Sequence, residues 1–233
     1  MKKKHCAIVA LYILILSGFV GAAAAGSRAV TAAAESRPVE RWHRIVIAAG
    51  PGGEDGGAVS CTGVPESGIN LQIALRLDDL LHLLGFETVM VRTTDISVYT
   101  EGETLGQKKA SDLKARVKLV NETENGILVS IHQNTYSESR YSGAQVFYAN
   151  PTGSEELAKQ LQAVFVSTVN PGSNRQAKKA TGLYLFENIT RPGVLVECGF
   201  LTNAEEEAKL RTPAYQKNLC CVIAATLSQY LNT

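Results

Sequence analysis

Two polar side chains interrupt apolar runs in this chain. Glu197 breaks the segment GVLVECGFL (193–201), and His132 ends ILVSIH (127–132). An ionised carboxylate in apolar surroundings is costly unless it is paired or bound to a metal. Glu197 is therefore either half of a buried ion pair, with Arg92 or Arg116 as partner, or a general base in a cleft. A lone histidine at a strand end is more often a hydrogen-bonded structural residue than a ligand, and both readings of His132 stay open. Asn134 follows two residues later, on the same side if the strand continues. Glu66 stands just before a long apolar-periodic segment, where a carboxylate simply complements a helix dipole. Gly50-Pro51-Gly52-Gly53 follows a short apolar run, but residue 55 is Asp55 rather than glycine, and no Gly-Lys-Ser/Thr follows. A nucleotide-binding loop is thereby excluded.

The elements that must position these residues alternate. Short apolar runs at 44–49 (RIVIAA), 87–92 (ETVMVR), 127–132, 144–149 (AQVFYA) and 193–197 (GVLVE) read as strands. Between them, Ile69, Ile73, Leu77, Leu80, Leu81 and Leu84 make one helical face, with Gly85 as its stop. Leu113, Val117 and Val120 mark a second helix, and Leu157, Leu161, Val164 and Phe165 a third. Asn203 with Glu206 suits a capping box, and Tyr215, Leu219, Val222, Ile223 and Leu227 mark a closing helix. This alternation predicts a single α/β domain with a mostly parallel, twisted sheet flanked by helices on both faces. In such sheets ligands gather beyond the carboxyl ends of the strands. Ser130 and His132 fall on one strand face with Leu128.

The N-terminus has a different composition. Lys2, Lys3 and Lys4 precede an apolar run that ends in Ala23-Ala24-Ala25. Residues 1–25 thus read as a signal peptide or a retained signal anchor, residues 26–41 as a linker, and residues 42–233 as the folded domain. The domain is expected to be exported, with membrane contact only through such an anchor. Lys+Arg number 23 against 22 Asp+Glu, a net charge of +1, so no nucleic-acid partner is implied. Cys61, Cys198, Cys220 and Cys221 lack CxxC spacing, which excludes a zinc finger, and the adjacent pair should pack as small apolar side chains.

The order of the segments carries more than any one of them. GPGGEDGGA (50–58), PESGINLQIALRL (65–77), VMVRTTD (89–95), RVKLVN (116–121), VSIHQN (129–134), GAQVFY (143–148), VLVECGFLTNAEE (194–206) and LRTPAYQ (210–216) together resemble the zinc-dependent N-acetylmuramoyl-L-alanine amidases, with the spore-cortex branch nearest in pattern. The resemblance implies hydrolysis of the amide between N-acetylmuramic acid and L-alanine in peptidoglycan, at the cell wall or the outer face of the membrane. It implies a zinc ion held by Glu66, His132 and a further histidine, with Glu197 as the catalytic base. It also implies substrate positioning by Asn134 and Arg116, and admits an accessory protein.

One position departs from the family. Its first motif is Gly-His-Gly-Gly, and here Pro51 replaces the histidine ligand. Glu54 and Asp55 are the nearest substitute donors, and His43 should lie at the opposite end of the sheet. The alternative to an enzyme is therefore an amidase-like domain, weak or inactive, that binds peptidoglycan or a partner without cutting.

Overall fold

The computed structural model describes residues 43–232; the expected signal segment, the linker and Cys6 lie outside them. The described chain runs β1 (Arg44–Ala49), α1 (Glu66–Leu83), β2 (Glu87–Met90), α2 (Leu105–Glu122), β3 (Gly126–Asn134), β4 (Gln145–Tyr148), α3 (Ser154–Thr168), β5 (Lys178–Lys179), α4 (Tyr184–Asn188), β6 (Gly193–Phe200), α5 (Ala204–Leu210) and α6 (Pro213–Leu231). The six strands form one sheet in the order β2-β1-β3-β6-β4-β5. All neighbours are parallel except β4 and β6, which are antiparallel.

Strand alternation divides the core in two. Ile45, Ile47, Val129, Ile131, Val194 and Val196 pack with Ile73 and Leu77 of α1, Leu161 and Phe165 of α3, and Leu219 and Ile223 of α6. Val46, Ala48, Leu128 and Leu195 pack on the other side with Val120 of α2 and Leu185 and Phe186 of α4. The central strands are apolar on both faces because helices cover both, as parallel sheets require. Burying each large aliphatic side chain stabilises the fold by roughly 1.5–3 kcal/mol.

Helix ends follow local chemistry. Gly85 has φ 85°. The Gly85 N–H donates to the His82 carbonyl and the Phe86 N–H to the Leu81 carbonyl, closing α1 as a Schellman turn. The second helix starts at Leu105, two turns before its first apolar mark, because Thr104 and Gln107 form a reciprocal capping box. Asn203 does cap α5 through the Glu206 N–H, but the Glu206 carboxylate does not reach back. It accepts instead from the N–H groups of Gly143 and Phe200, both at 2.7 Å. The four cysteines among the described residues are free. Cys220 is buried as expected, whereas Cys221 faces solvent. No helix among the described residues is long and apolar enough to cross a membrane.

Candidate active site

The site forms where β1, β3 and β6 end. Parallel pairing sets Leu128 opposite Gly193 and, four residues on, His132 opposite Glu197. Registered residues on neighbouring strands share a face, so the imidazole and the carboxylate rise side by side from the sheet. Beyond this pair the register slips, and Asn134 meets Phe200. Two residues of β6, Cys198 and Gly199, thus oppose Gln133 alone. Such bulges end regular pairing and re-aim side chains beside sites. The Asn134 carbonyl accepts from the Leu201 N–H at 2.8 Å. Its side chain makes no hydrogen bond within the described chain.

Glu66 arrives from another element. It is the first residue of α1, and its side chain turns back over the strand ends. One oxygen accepts from the Ala58 N–H at 3.0 Å. The other accepts from the Asn70 amide at 2.9 Å and the Gln133 N–H at 3.1 Å. That oxygen lies 3.6 Å from Nδ1 of His132. Gly50, the residue after β1, closes the space beside the ring. A Cβ there would meet Cε1 of His132 at 2.8 Å and the Asn70 amide nitrogen at 2.7 Å.

The two carboxylates differ in state. Burial pushes Glu66 upward, but His132, the Ala58 N–H and the Asn70 amide outweigh it and hold the group at about 2. Burial dominates at Glu197, with His132 pulling down and Glu66 pushing up, and the result is about 7. One Glu197 oxygen, Oε2, is shielded from water and accepts no hydrogen bond. Carboxyl groups driven apart in this way divide their roles: the low one stays an anion, and the high one can exchange a proton near neutrality.

The structure does not pair Glu197 with an arginine. Arg92 is buried, and its guanidinium donates to the carbonyls of Ala49, Pro51, Ser67 and Thr94. Arg116, expected to position substrate, is 4% exposed. It donates to Asp112 and to the carbonyls of Ala49 and Gly50. Its donors face the turn after β1 because the carbonyls there have left the strand ladder and need partners. Arg116 thus positions that turn. Sequence reasoning missed Asn70 and Gln133, which fix Glu66 from below. Asn70 lies one helical turn after Glu66, and that spacing was the available signal.

A metal requires a third donor. Among the described residues no group of three His, Cys, Asp or Glu side chains could hold an ion. Glu54 is bonded to Lys108 at 2.8 Å. Asp55 is paired with Lys109 at 3.0 Å and accepts the Gly57 N–H. Neither replaces the missing histidine. Catalytic zinc takes three protein ligands and leaves one position open, and this donor set does not fit that requirement.

Comparison with known proteins gives the arrangement its relatives. The profile of the N-acetylmuramoyl-L-alanine amidases matches residues 45–229. The germination-specific N-acetylmuramoyl-L-alanine amidase of Bacillus subtilis is 36% identical over 188 residues, covering 80% of this chain and 78% of that protein. The CwlD amidase of Clostridioides difficile, solved in complex with the GerS lipoprotein, is 35% identical with a TM-score of 0.77; the match covers 82% of this chain and 98% of that one. An N-acetylmuramoyl-L-alanine amidase from Clostridium difficile 630 is 31% identical with a TM-score of 0.71, over 83% and 99% of the two chains. A profile spanning nearly the whole described domain, with relatives this similar over most of its length, makes the chain a member of the N-acetylmuramoyl-L-alanine amidase family.

Proposed function

We propose that this protein cleaves the amide between N-acetylmuramic acid and L-alanine in peptidoglycan, outside the cytoplasm, with Glu197 as the base. The observation that carries the reading is the register of His132 with Glu197, beside a Glu66 carboxylate held as an anion. In this reading Glu197 takes a proton from water as the water oxygen bonds to the scissile carbonyl carbon. It returns that proton to the L-alanine nitrogen as the C–N bond breaks. Asn134, whose side chain makes no hydrogen bond among the described residues, orients the substrate. Family resemblance supports zinc as the cofactor, with Glu66 and His132 as two donors. The absent third donor argues for weak occupancy, so no step is written through the metal.

The named germination-specific relative supports a role in the spore cortex. The relative solved with a lipoprotein supports an accessory protein. A second reading, a domain that holds muropeptide uncut, is favoured by the missing donor alone. The test is digestion of purified muropeptides by the purified protein. New L-alanine amino groups should appear without new reducing sugar ends. Retained binding with no new amino groups, in the parent and in Pro51→His alike, would establish the second reading.

Gly50 offers a check on His132. Its Cβ would collide with the ring and with Asn70, but both are side-chain ends that can shift. Gly50→Ala should therefore keep the fold and move the imidazole by a few tenths of an ångström or more. Misplacement of that order costs roughly 10- to 100-fold in turnover. Turnover and Tm measured on the same preparation would decide; full activity would mean that the ring position is not critical.

A further inference from the structure

A second polar feature lies next to Glu197. Because β4 runs antiparallel to β6, its first residue, Gln145, pairs with Glu197 itself. The chain entering β4 and the chain leading from α3 into β5 therefore meet at the catalytic end of the sheet. Between them lies an open groove of about 850 Å³, lined by Tyr141, Gln145, Asn170, Arg175 and Lys178 among others. That volume suits a ligand of a few residues.

The groove carries three cations, of which Arg140 is paired with Glu138 at 2.8 Å. Neither Arg175 nor Lys178 forms an ion pair with a described residue. Arg175 is held in place nonetheless: Nε and Nη2 donate to the Ser142 carbonyl, and the guanidinium lies 4.9 Å from the Phe200 ring. Glu206 is the nearby carboxylate and attracts Arg175, but it is buried, both its oxygens accept from the Gly143 and Phe200 N–H groups, and it forms no ion pair with the guanidinium. Lys178 is exposed, and its ammonium makes no hydrogen bond with the described chain.

The substrate offers one anionic side. In an intact muropeptide the lactyl carboxylate of muramic acid is consumed in the scissile amide, so the sugar next to the bond is neutral. The peptide that leaves carries free carboxylates on its acidic residues. We propose that this groove is the subsite for the leaving peptide, and that Arg175 and Lys178 read its free carboxylates. The proposal rests on the amidase reading and adds which half of the substrate lies over β4 and β5.

The test uses a stem tripeptide beginning L-alanyl-D-glutamyl, with free carboxylates or with all of them amidated. Calorimetric titration of the purified protein should give about tenfold weaker binding for the amidated peptide, as loss of a charge-assisted contact predicts. Lys178→Gln and Arg175→Gln should each narrow that difference. Lys178 has no structural bond to lose, so its variant reports even if Arg175→Gln fails to fold. Equal binding of the two peptides by the parent protein overturns the subsite. So does a preference that survives Lys178→Gln undiminished. Binding needs no turnover, so the two readings fail separately. Carboxylate-dependent binding without cleavage of muropeptide, in the parent and in Pro51→His alike, upholds the subsite and sinks the amidase reading; cleavage with carboxylate-blind binding does the reverse.

Discussion

Glu197→Gln is expected to lower amidase turnover by about 1,000-fold, within the range lost when a general base is removed, while leaving the domain folded. The parent's kcat/KM should rise with pH through about 7 and then level off, because the base works only when deprotonated and burial holds its carboxyl up at about 7. The residual rate of the variant should show no such step. Stability should move the other way. A carboxyl raised in the folded state binds its proton more tightly folded than unfolded, so it favours the fold at acid pH. That contribution is lost as pH rises from the ordinary carboxylate range through about 7. The loss is up to about 3 kcal/mol at pH 8. Glutamine escapes it, but buries an amide where Oε2 now accepts nothing, at a cost of about 1–3 kcal/mol. The variant should therefore melt at or above the parent's temperature at pH 8, and at or below it at pH 5. A variant that keeps about a tenth of parental turnover would remove Glu197 from the chemistry.

The second large effect is a gain. Pro51→His is expected to raise zinc occupancy and amidase turnover together, with zinc bound at least about 100-fold more tightly, since losing even an outer-shell partner costs 10- to 100-fold. The position adjoins Gly50, which is packed against His132. The Pro51 carbonyl is anchored by Arg92 at 2.7 Å, so the turn is held through its backbone and not through the proline ring alone. Removing the fixed φ leaves that anchor in place. Pro51→His combined with Glu197→Ala should keep the zinc and lose the activity, because ligand and base are separate roles. Metal stoichiometry beside amide cleavage reads both. Full zinc and brisk turnover in the unmodified protein would mean that another donor completes the site. Glu54 or Asp55 would then have to leave its lysine. If Pro51→His gains neither metal nor activity, the non-cutting domain becomes the better reading.

Much of this was legible in the sequence. His132 and Glu197 were visible because charged or polar groups at the ends of apolar strands are expensive without a purpose. Their direct pairing was not visible: it requires β3 and β6, about sixty residues apart in sequence, to be neighbours in one register. The parallel character followed from alternation, but the reversed β4 did not, since a four-residue strand carries no sign of direction. The short β5 and α4 were missed because Lys178-Lys179 and YLFEN show no period that a window can detect. The bonds of Arg92 and Arg116 were not legible for a different reason. An arginine in sequence advertises an anion, whereas these two satisfy carbonyl oxygens that only the folded turn leaves unpaired.

The two-residue β5 bears on how molecules of this protein meet one another. It is the last strand on its side of the sheet, and both of its residues are exposed lysines. A sheet edge is a template on which a strand from another molecule can add, extending the ladder toward fibrils. Here the template is only two residues long, and an incoming strand would have to lie against two ammonium groups. Two identical edges would bring four such charges together. The lysines assigned above to this edge therefore also guard the margin of the sheet, and neutralising them would make edge-to-edge association easier at high protein concentration.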